Sequence, residues 1–406
     1  MKKIFIVTYG GGHSAMIGPI LKEFGNDNVN KVKIVCLALT SAYNSLIQYN
    51  SDLIQIKKIS DYCNLFINDV SIIKYWGNFV VNTMDKKKIA DLEESLLYLG
   101  LSMYELVNLH GELKAIELYM KKGRLAFLPE KISKKILEFE NPELVFATNS
   151  PRMEKSFTLA AISLSIINFQ INDLFAAEVL NIVSENIIVM NNFVKNEIEK
   201  FKICNIYALG QPALEVSYNT IKAIDQKSLK NRLSIGINKT VVTFFTQQAL
   251  LKDKNGSIVG IGSNTSMIDI YFYIFEKLTL HPNFEICVRT HPNQDADEYK
   301  KLFGLSRHLN QHLTSHESIQ LSDIVIVQDS TIGLEALISN KLVFTFDEIG
   351  DLSPNYKLPP FHFFSNRYDL LNSILDFEIF KKSKQNTIDF PLNSAFNIKN
   401  LLINNL

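Results

Sequence analysis

Short runs of β-branched and aliphatic residues alternate along the chain with longer stretches whose apolar positions recur every three and four residues. The runs fit strands buried on both faces, and the stretches fit helices laid over them. Strands are expected at 3–8, 33–39, 144–148, 165–169, 187–190 and 206–209. A long helical insert, about 60–139, separates the second from the third. Asp91-Leu-Glu-Glu-Ser-Leu-Leu-Tyr and Tyr104-Glu-Leu-Val-Asn-Leu-His show its period. The series stops at Gly210-Gln211-Pro212, and 215–239 is polar and helical. A second series follows at 240–245, 285–290, 324–328 and 341–346, and a terminal helix comes after Pro391. The alternation predicts α/β layers with parallel sheets. The expected domains are 1–212, a linker at 213–239, a second domain at 240–390 and the terminal helix at 391–406.

Charge narrows the partners. Of 406 residues, 42 are basic and 42 acidic, and the two halves on either side of Glu215 are each balanced. Nucleic acid, which needs a surface that follows many phosphates, is therefore not an expected partner, whereas a small anion held by a few groups is compatible. Glycine and proline are scarce, 17 and 11 residues, which argues against a turn-dense all-β fold. Cys36, Cys63, Cys204 and Cys287 are far apart and form no CxxC pair. They read as reduced residues of a cytoplasmic protein. The apolar run 4–9 is too short for a signal peptide, and none reaches the roughly 18 residues of a membrane span, so any membrane role is expected to be peripheral.

Candidate chemistry gathers where strands end. Val7-Thr-Tyr-Gly10-Gly11-Gly12-His13 runs from a strand through glycines into a helix, so the backbone at Gly11 and Gly12 can approach a ligand. His13 is a candidate base, or a cap in a tight turn. Ala15 and Met16 break the dinucleotide fingerprint, and no bound cofactor is expected. Thr148-Asn149-Ser150-Pro151-Arg152 and Asn172-Asp173 end two later strands; Asp173 can orient a base or act as one. In the second half, Arg289-Thr290-His291-Pro292 offers phosphate donors on a backbone that the proline stiffens. Asp329-Ser330-Thr331-Ile-Gly-Leu-Glu335 places hydroxyls where a helix begins, and Glu335 is too far along to close a capping box. Thr246-Gln247-Gln248 follows the first strand of the second half. His110, Glu112, Lys122 and Arg124 in the insert read mainly as solvated helix charges. Six of the eight histidines lie between His281 and His362 without zinc spacing, so no metal is expected.

Together these motifs resemble the glycosyltransferases of GT-B type. The Gly10-Gly11-Gly12-His13 turn with Pro19 is similar to the glycine-histidine opening of inverting members. Arg289-Thr-His291-Pro292 looks like the HP motif of bacterial sialyltransferases and capsular Kdo transferases. Asp329-Ser330-Thr331-Ile-Gly-Leu-Glu335 is similar to the strand-to-helix turn of capsule transferases and, more distantly, of UDP-GlcNAc 2-epimerases. The resemblance implies two Rossmann-like domains facing across a cleft and a metal-independent transferase of surface polysaccharide assembly. Its donor is a nucleotide-sugar, with a CMP-linked nonulosonate or Kdo slightly ahead of a UDP-sugar. The acceptor is a glycan, a lipid-linked glycan or a protein, met in the cytoplasm or at the inner face of the membrane. It further implies that His13 and Asp173 are catalytic. Thr246, Gln247, Gln248, Arg289, His291, Pro292, Asp329, Ser330, Thr331 and Glu335 would bind the donor, and Gly11, Gly12, Asn149 and Arg152 would lie on the acceptor side. Two other readings stand beside it: a UDP-N-acetylhexosamine 2-epimerase or hydrolase, and a non-catalytic nucleotide-sugar-binding subunit.

Overall fold

The computed structural model describes all residues except 28–31, 85–88, 90, 174, 176–180, 202–203, 248–249, 253–257, 262–264, 292–293, 295–296, 298–299, 302–306, 329, 349–351, 353 and 383–388. Two compact units result. Unit 1 comprises Met1–Glu215 with Phe390–Leu406, and unit 2 comprises Val216–Asp389.

In unit 1 the strands are β1 (Lys3–Thr8), β2 (Lys33–Ala38), β3 (Ile54–Lys57), β4 (Leu144–Thr148), β5 (Ile167–Ile171), β6 (Asn186–Val189) and β7 (Asn205–Ala208). They form one parallel sheet in the order β3-β2-β1-β4-β5-β6-β7, with Val7 opposite both Leu37 and Ala147. Because both faces are covered, the strands need no polar alternation. Phe5, Val7, Val35 and Val145 join one core cluster with Trp76, Leu97 and Leu101 of the insert. Ile4, Ile6, Ile34 and Phe146 join another with Ile17, Ile20, Ile398 and Leu402.

Inside the insert, helices Val70–Val81 and Leu92–His110 cross through glycine. A Cβ at Gly77 would stand 2.1 Å from the Leu96 carbonyl oxygen, and one at Gly100 equally close to that of Ile73. The terminal helix Ser394–Asn404 belongs to unit 1. Glu215 accepts hydrogen bonds from the backbone N–H groups of Asn393 and Ser394, at 2.8 Å each, and Lys399 pairs with Asp27 at 2.9 Å.

In unit 2, strands β8 (Thr240–Phe245), β11 (Phe284–Arg289), β12 (Ile324–Val327), β13 (Leu342–Phe346) and β14 (His362–Phe364) form a parallel sheet in the order β11-β8-β12-β13-β14. A separate antiparallel pair, β9 (Leu250–Lys252) and β10 (Ile258–Ile261), lies in sequence between β8 and β11. The segment read as a linker is ordered as helices Pro212–Lys222 and Gln226–Arg232. Its Leu229 and Ile235 pack with Val241, Cys287 and Leu309 of unit 2.

Three short edge elements, β3, the β9/β10 pair and β14, have no counterpart in the pattern of the sequence. Each strand has only three or four residues, too few for a period to stand out. The fifth strand runs 167–171, two residues later than expected, because Ser165 turns the chain with φ 55° after the preceding helix. Among the described residues no helix is long and apolar enough to cross a membrane.

Candidate functional site

Open parallel sheets bind ligands outside the carboxyl ends of their strands, where the strand order reverses. In unit 1 that place lies between β1 and β4. Gly10 to Gly12 leave β1 there. Gly11, with φ 70° and ψ −133°, adopts a backbone that side chains resist, and helix Gly12–Gly25 starts without a side-chain cap or an acidic first turn. Asn149 to Arg152 leave β4 and lead into helix Met153–Ser163.

The two turns converge on His13. Its Nδ1 lies 3.4 Å from Glu154 Oε1, and its Nε2 lies 3.2 Å from Asp173 Oδ2. Glu154 is fully buried, whereas His13 and Asp173 each keep about a fifth of their side-chain surface. Burial pulls the pKa of the imidazole down, but Asp173 and Glu154, through hydrogen bonds and charge, outweigh it and push it up to about 9. At neutral pH His13 is an imidazolium held between two carboxylates. Each ring nitrogen serves a different carboxylate, and among the described residues no three His, Cys, Asp or Glu side chains are grouped to hold a metal ion.

Among the described residues, buried polar atoms at the ends of β2 and β4 have no hydrogen-bond partner: Thr40 Oγ1, Asn149 Oδ1, Ser150 Oγ, Arg152 Nε and, in the helix that follows, Glu154 Oε2. Thr40 follows β2 and is β-branched, yet sits at φ 51°, where such residues are strained. Arg152 lies over the Tyr9 ring, 5.5 Å from its centroid, and Tyr9 packs on Tyr98. Asn149 donates to Asn172 Oδ1 at 3.3 Å, which ties the end of β4 to the segment that carries Asp173.

In unit 2 the order reverses between β8 and β12. Thr246 and Gln247 leave β8 and are drawn together by Gln294, which accepts from the Thr246 hydroxyl and donates to the Gln247 carbonyl at 2.8 Å. The same Gln294 accepts from the backbone N–H of His291 at 3.0 Å. His291 is thus placed beside the β8 exit, and its side chain is exposed. Arg289, expected at a phosphate, donates through Nη1 to the Leu313 carbonyl at 2.7 Å and to Ser318 Oγ at 3.3 Å. Ser330 caps helix Thr331–Ile338 by accepting from Ile332 N, and Thr331 is the first residue of that helix. Gln248, Pro292 and Asp329 lie outside the described residues.

Glu335 faces protein groups of its own unit. Its Oε2 is 3.6 Å from His316 Nε2, which in turn lies 3.1 Å from Ser217 Oγ. Burial raises its pKa to about 7, with the Ser217 hydroxyl pulling the other way. Glu154, Ser217 and His316 were not singled out from the sequence. Glu154 had a signal, an acidic residue in the first turn of a helix that follows a strand end. Ser217 and His316 are 99 residues apart and had none. A further groove of about 520 Å³ in the insert is lined by Leu106, Leu109, Leu128, Lys131 and Lys134; no expected site residue borders it, and His110, read as a solvated helix charge, does.

No family model matches this sequence, and neither does any curated protein. Solved structures do match over nearly the whole chain. A UDP-GlcNAc 2-epimerase from Neisseria meningitidis bound to UDP-GlcNAc is 14% identical, with a TM-score of 0.59 over 99% of this chain and 100% of that one. MnaA of S. aureus in a co-structure with UDP is 12% identical, with a TM-score of 0.58 over 99% and 96%. A glycosyltransferase from Rickettsia africae ESF-5 is 13% identical, with a TM-score of 0.55 over 99% and 97%. The fold is of the GT-B type. At such identities the likeness establishes the fold and leaves the chemistry to be argued from the residues.

Proposed function

We propose that this protein acts on a nucleotide-activated sugar and breaks the bond between the anomeric carbon and the nucleotide's phosphate. The observation that carries the reading is the Glu154–His13–Asp173 cluster at the strand-order reversal of unit 1, in a chain that matches UDP-bound and UDP-GlcNAc-bound proteins from end to end. Transfer to an acceptor hydroxyl is the first form of the reaction. The acceptor oxygen bonds to the anomeric carbon, the old carbon–oxygen bond breaks, and its electron pair leaves on the phosphate. The acceptor's proton goes to Asp173. His13 already holds its own proton at neutral pH, so it orients Asp173 and carries positive charge toward the reacting centre. On unit 2 the exits of β8, β11 and β12 would hold the nucleotide, with Thr246, Gln247, Arg289, His291, Ser330, Thr331 and Glu335 as the proposed contacts, together with Gln248, Pro292 and Asp329 as expected from the sequence.

A UDP-N-acetylhexosamine 2-epimerase or hydrolase is the second form, favoured by the end-to-end likeness to UDP-GlcNAc 2-epimerases. It would use the same proton-handling pair on the donor sugar without an acceptor. Incubation of the protein with UDP-GlcNAc and with a CMP-nonulosonate in D2O separates the forms. Without acceptor, deuterium at C2 of the hexosamine identifies the epimerase, and nucleotide release without it identifies a hydrolase. Release that waits for an added acceptor identifies the transferase. If neither donor binds to the folded protein or is turned over with any acceptor offered, the reading is wrong.

A further inference from the structure

We infer that the groove in the insert of unit 1 binds a single-chain amphiphile with an anionic head, the chain along helix Leu92–His110 and the head at Lys131 and Lys134. The inference does not depend on the proposed function, since no residue assigned to that reaction lines the groove.

One face of a helix and the start of another form this groove. Ser102, Glu105, Leu106, Leu109 and His110 fall at spacings of three and four on helix Leu92–His110, so they share a face. Between Ser102 and His110 that face rises about 12 Å. Ala126, Leu128 and the first turns of helix Glu130–Glu140 complete most of the lining. The volume, about 520 Å³, is that of a small-molecule site.

Most polar groups of the lining are already bonded within the protein. Glu105 accepts at both carboxylate oxygens from backbone N–H groups, of Lys131 at 2.8 Å and of Ile132 at 2.9 Å. Ser102 donates to the Tyr98 carbonyl at 2.9 Å, and Ser163 donates to that of Ala160 at 2.8 Å. A ligand rich in hydroxyls would find few partners here, whereas a methylene chain strands no polar group. Leu106 is 6% exposed, Leu128 38% and Leu109 48%, so the apolar lining descends from an open rim to a covered floor. A single chain can follow it down to Leu106, and the flat face of a bilayer cannot.

Charge selects the head group. Lys131 and Lys134 lie one turn apart, and among the described residues neither ammonium has an ion-pair or hydrogen-bond partner. Lys121, Lys122 and Arg124, shortly before Ala126 in the chain, add positive charge. The remaining acid of the lining is Glu130, the first residue of its helix, where the helix's positive end offsets its charge. Two free ammonium groups against one carboxylate favour an anion.

The test is titration calorimetry of the full chain with decanoate and decyl phosphate below their micelle concentrations. Decanol, decyltrimethylammonium, inorganic phosphate and phosphatidylglycerol vesicles are the comparison probes. An anionic amphiphile is expected to bind at one per chain, at least tenfold more tightly than decanol or the ammonium. Leu109→Ser and Leu128→Ser should each weaken it about fivefold through lost apolar contact. Lys131→Gln combined with Lys134→Gln should weaken it about tenfold, whereas Glu130→Gln should strengthen it. Thermal unfolding checks that each variant folds; Leu109→Ala or Leu128→Ala replaces a serine variant that does not. The inference is overturned if neither monomeric anion binds, or if the cationic amphiphile or inorganic phosphate binds as tightly. Binding that the leucine and lysine variants leave unchanged overturns it as well. So does attachment to the vesicles without uptake of monomers, which would make this face a membrane contact and not a chain-binding groove.

Discussion

The two sheets present their carboxyl edges differently. At unit 1, charge is concentrated on one half-buried histidine between two carboxylates, and among the described residues buried polar atoms at the ends of β2 and β4 are left unpaired. At unit 2, the described polar groups of the strand exits largely bond to one another. Gln294 links Thr246, Gln247 and His291, Asn310 pairs with both backbone groups of Thr290, and Ser330 caps its helix; His308 Nδ1 is an unpaired atom in that region. Unit 1 thus keeps charge and unpaired bonding capacity at its strand ends. Unit 2 has a scaffold whose backbone turns are already set, as suits a ligand held by main-chain groups and helix starts. Similar strand-end motifs in a sequence can therefore differ in how much unspent bonding capacity they retain.

The sharpest way to break this contrast is Asp173→Asn. It should lower turnover of the nucleotide-sugar by about 100-fold or more, as loss of a positioned base does, with UDP or CMP affinity unchanged by calorimetry. An equal loss of nucleotide affinity would erase the division of labour.

Stability is the next scale. Gly100→Ala drives a methyl group into the Ile73 carbonyl and should destabilise the protein by about 1 to 3 kcal/mol in urea unfolding, while spectra of unit 2 stay native. Glu215→Ala removes a carboxylate that caps the terminal helix at two backbone amides, and a loss of about 1.5 to 3 kcal/mol is expected in the same measurement.

Acid–base behaviour gives smaller effects and separates the units again. The folded pKa of His13 is raised from 6.5 to about 9, so its contribution to stability is fully present below pH 6.5 and is lost as pH rises through 9. In Glu154→Gln the imidazole, followed by NMR, should titrate lower, and this loss should shrink and begin at lower pH. For Glu335, burial raises the folded pKa from 4.5 to about 7, so the folded state favours its protonated form. Its contribution is complete below pH 4.5 and fades as pH rises through 7, and Glu335→Gln should flatten the stability profile across that interval. If Glu335→Gln instead altered the profile above pH 8, its assigned burial would be wrong.

Much of the sheet framework was legible because strands such as Ile4–Val7 and Leu144–Thr148 are continuous apolar runs bounded by glycine, proline or polar turns. The strands β3, β9, β10 and β14 were not, since their three or four residues carry no distinctive period. His13 and Asp173 were legible as strand-end residues. Their meeting was not, because 160 positions separate them along the chain and only the adjacency of β1, β4 and β5 brings their turns together. Glu335 shows the opposite case: its spacing from Ser330 freed it from the cap, but packing placed it against His316 and Ser217.

What the sequence by itself determined is the α/β class, the positions of the long strands and the residues placed at their carboxyl ends. These depend on local periodicity and turn chemistry. Only the tertiary structure decided which of those residues share a site, which polar atoms stay unpaired and how far a histidine's pKa moves. Burial and through-space charge depend on contacts between distant segments, and a linear pattern does not encode those distances.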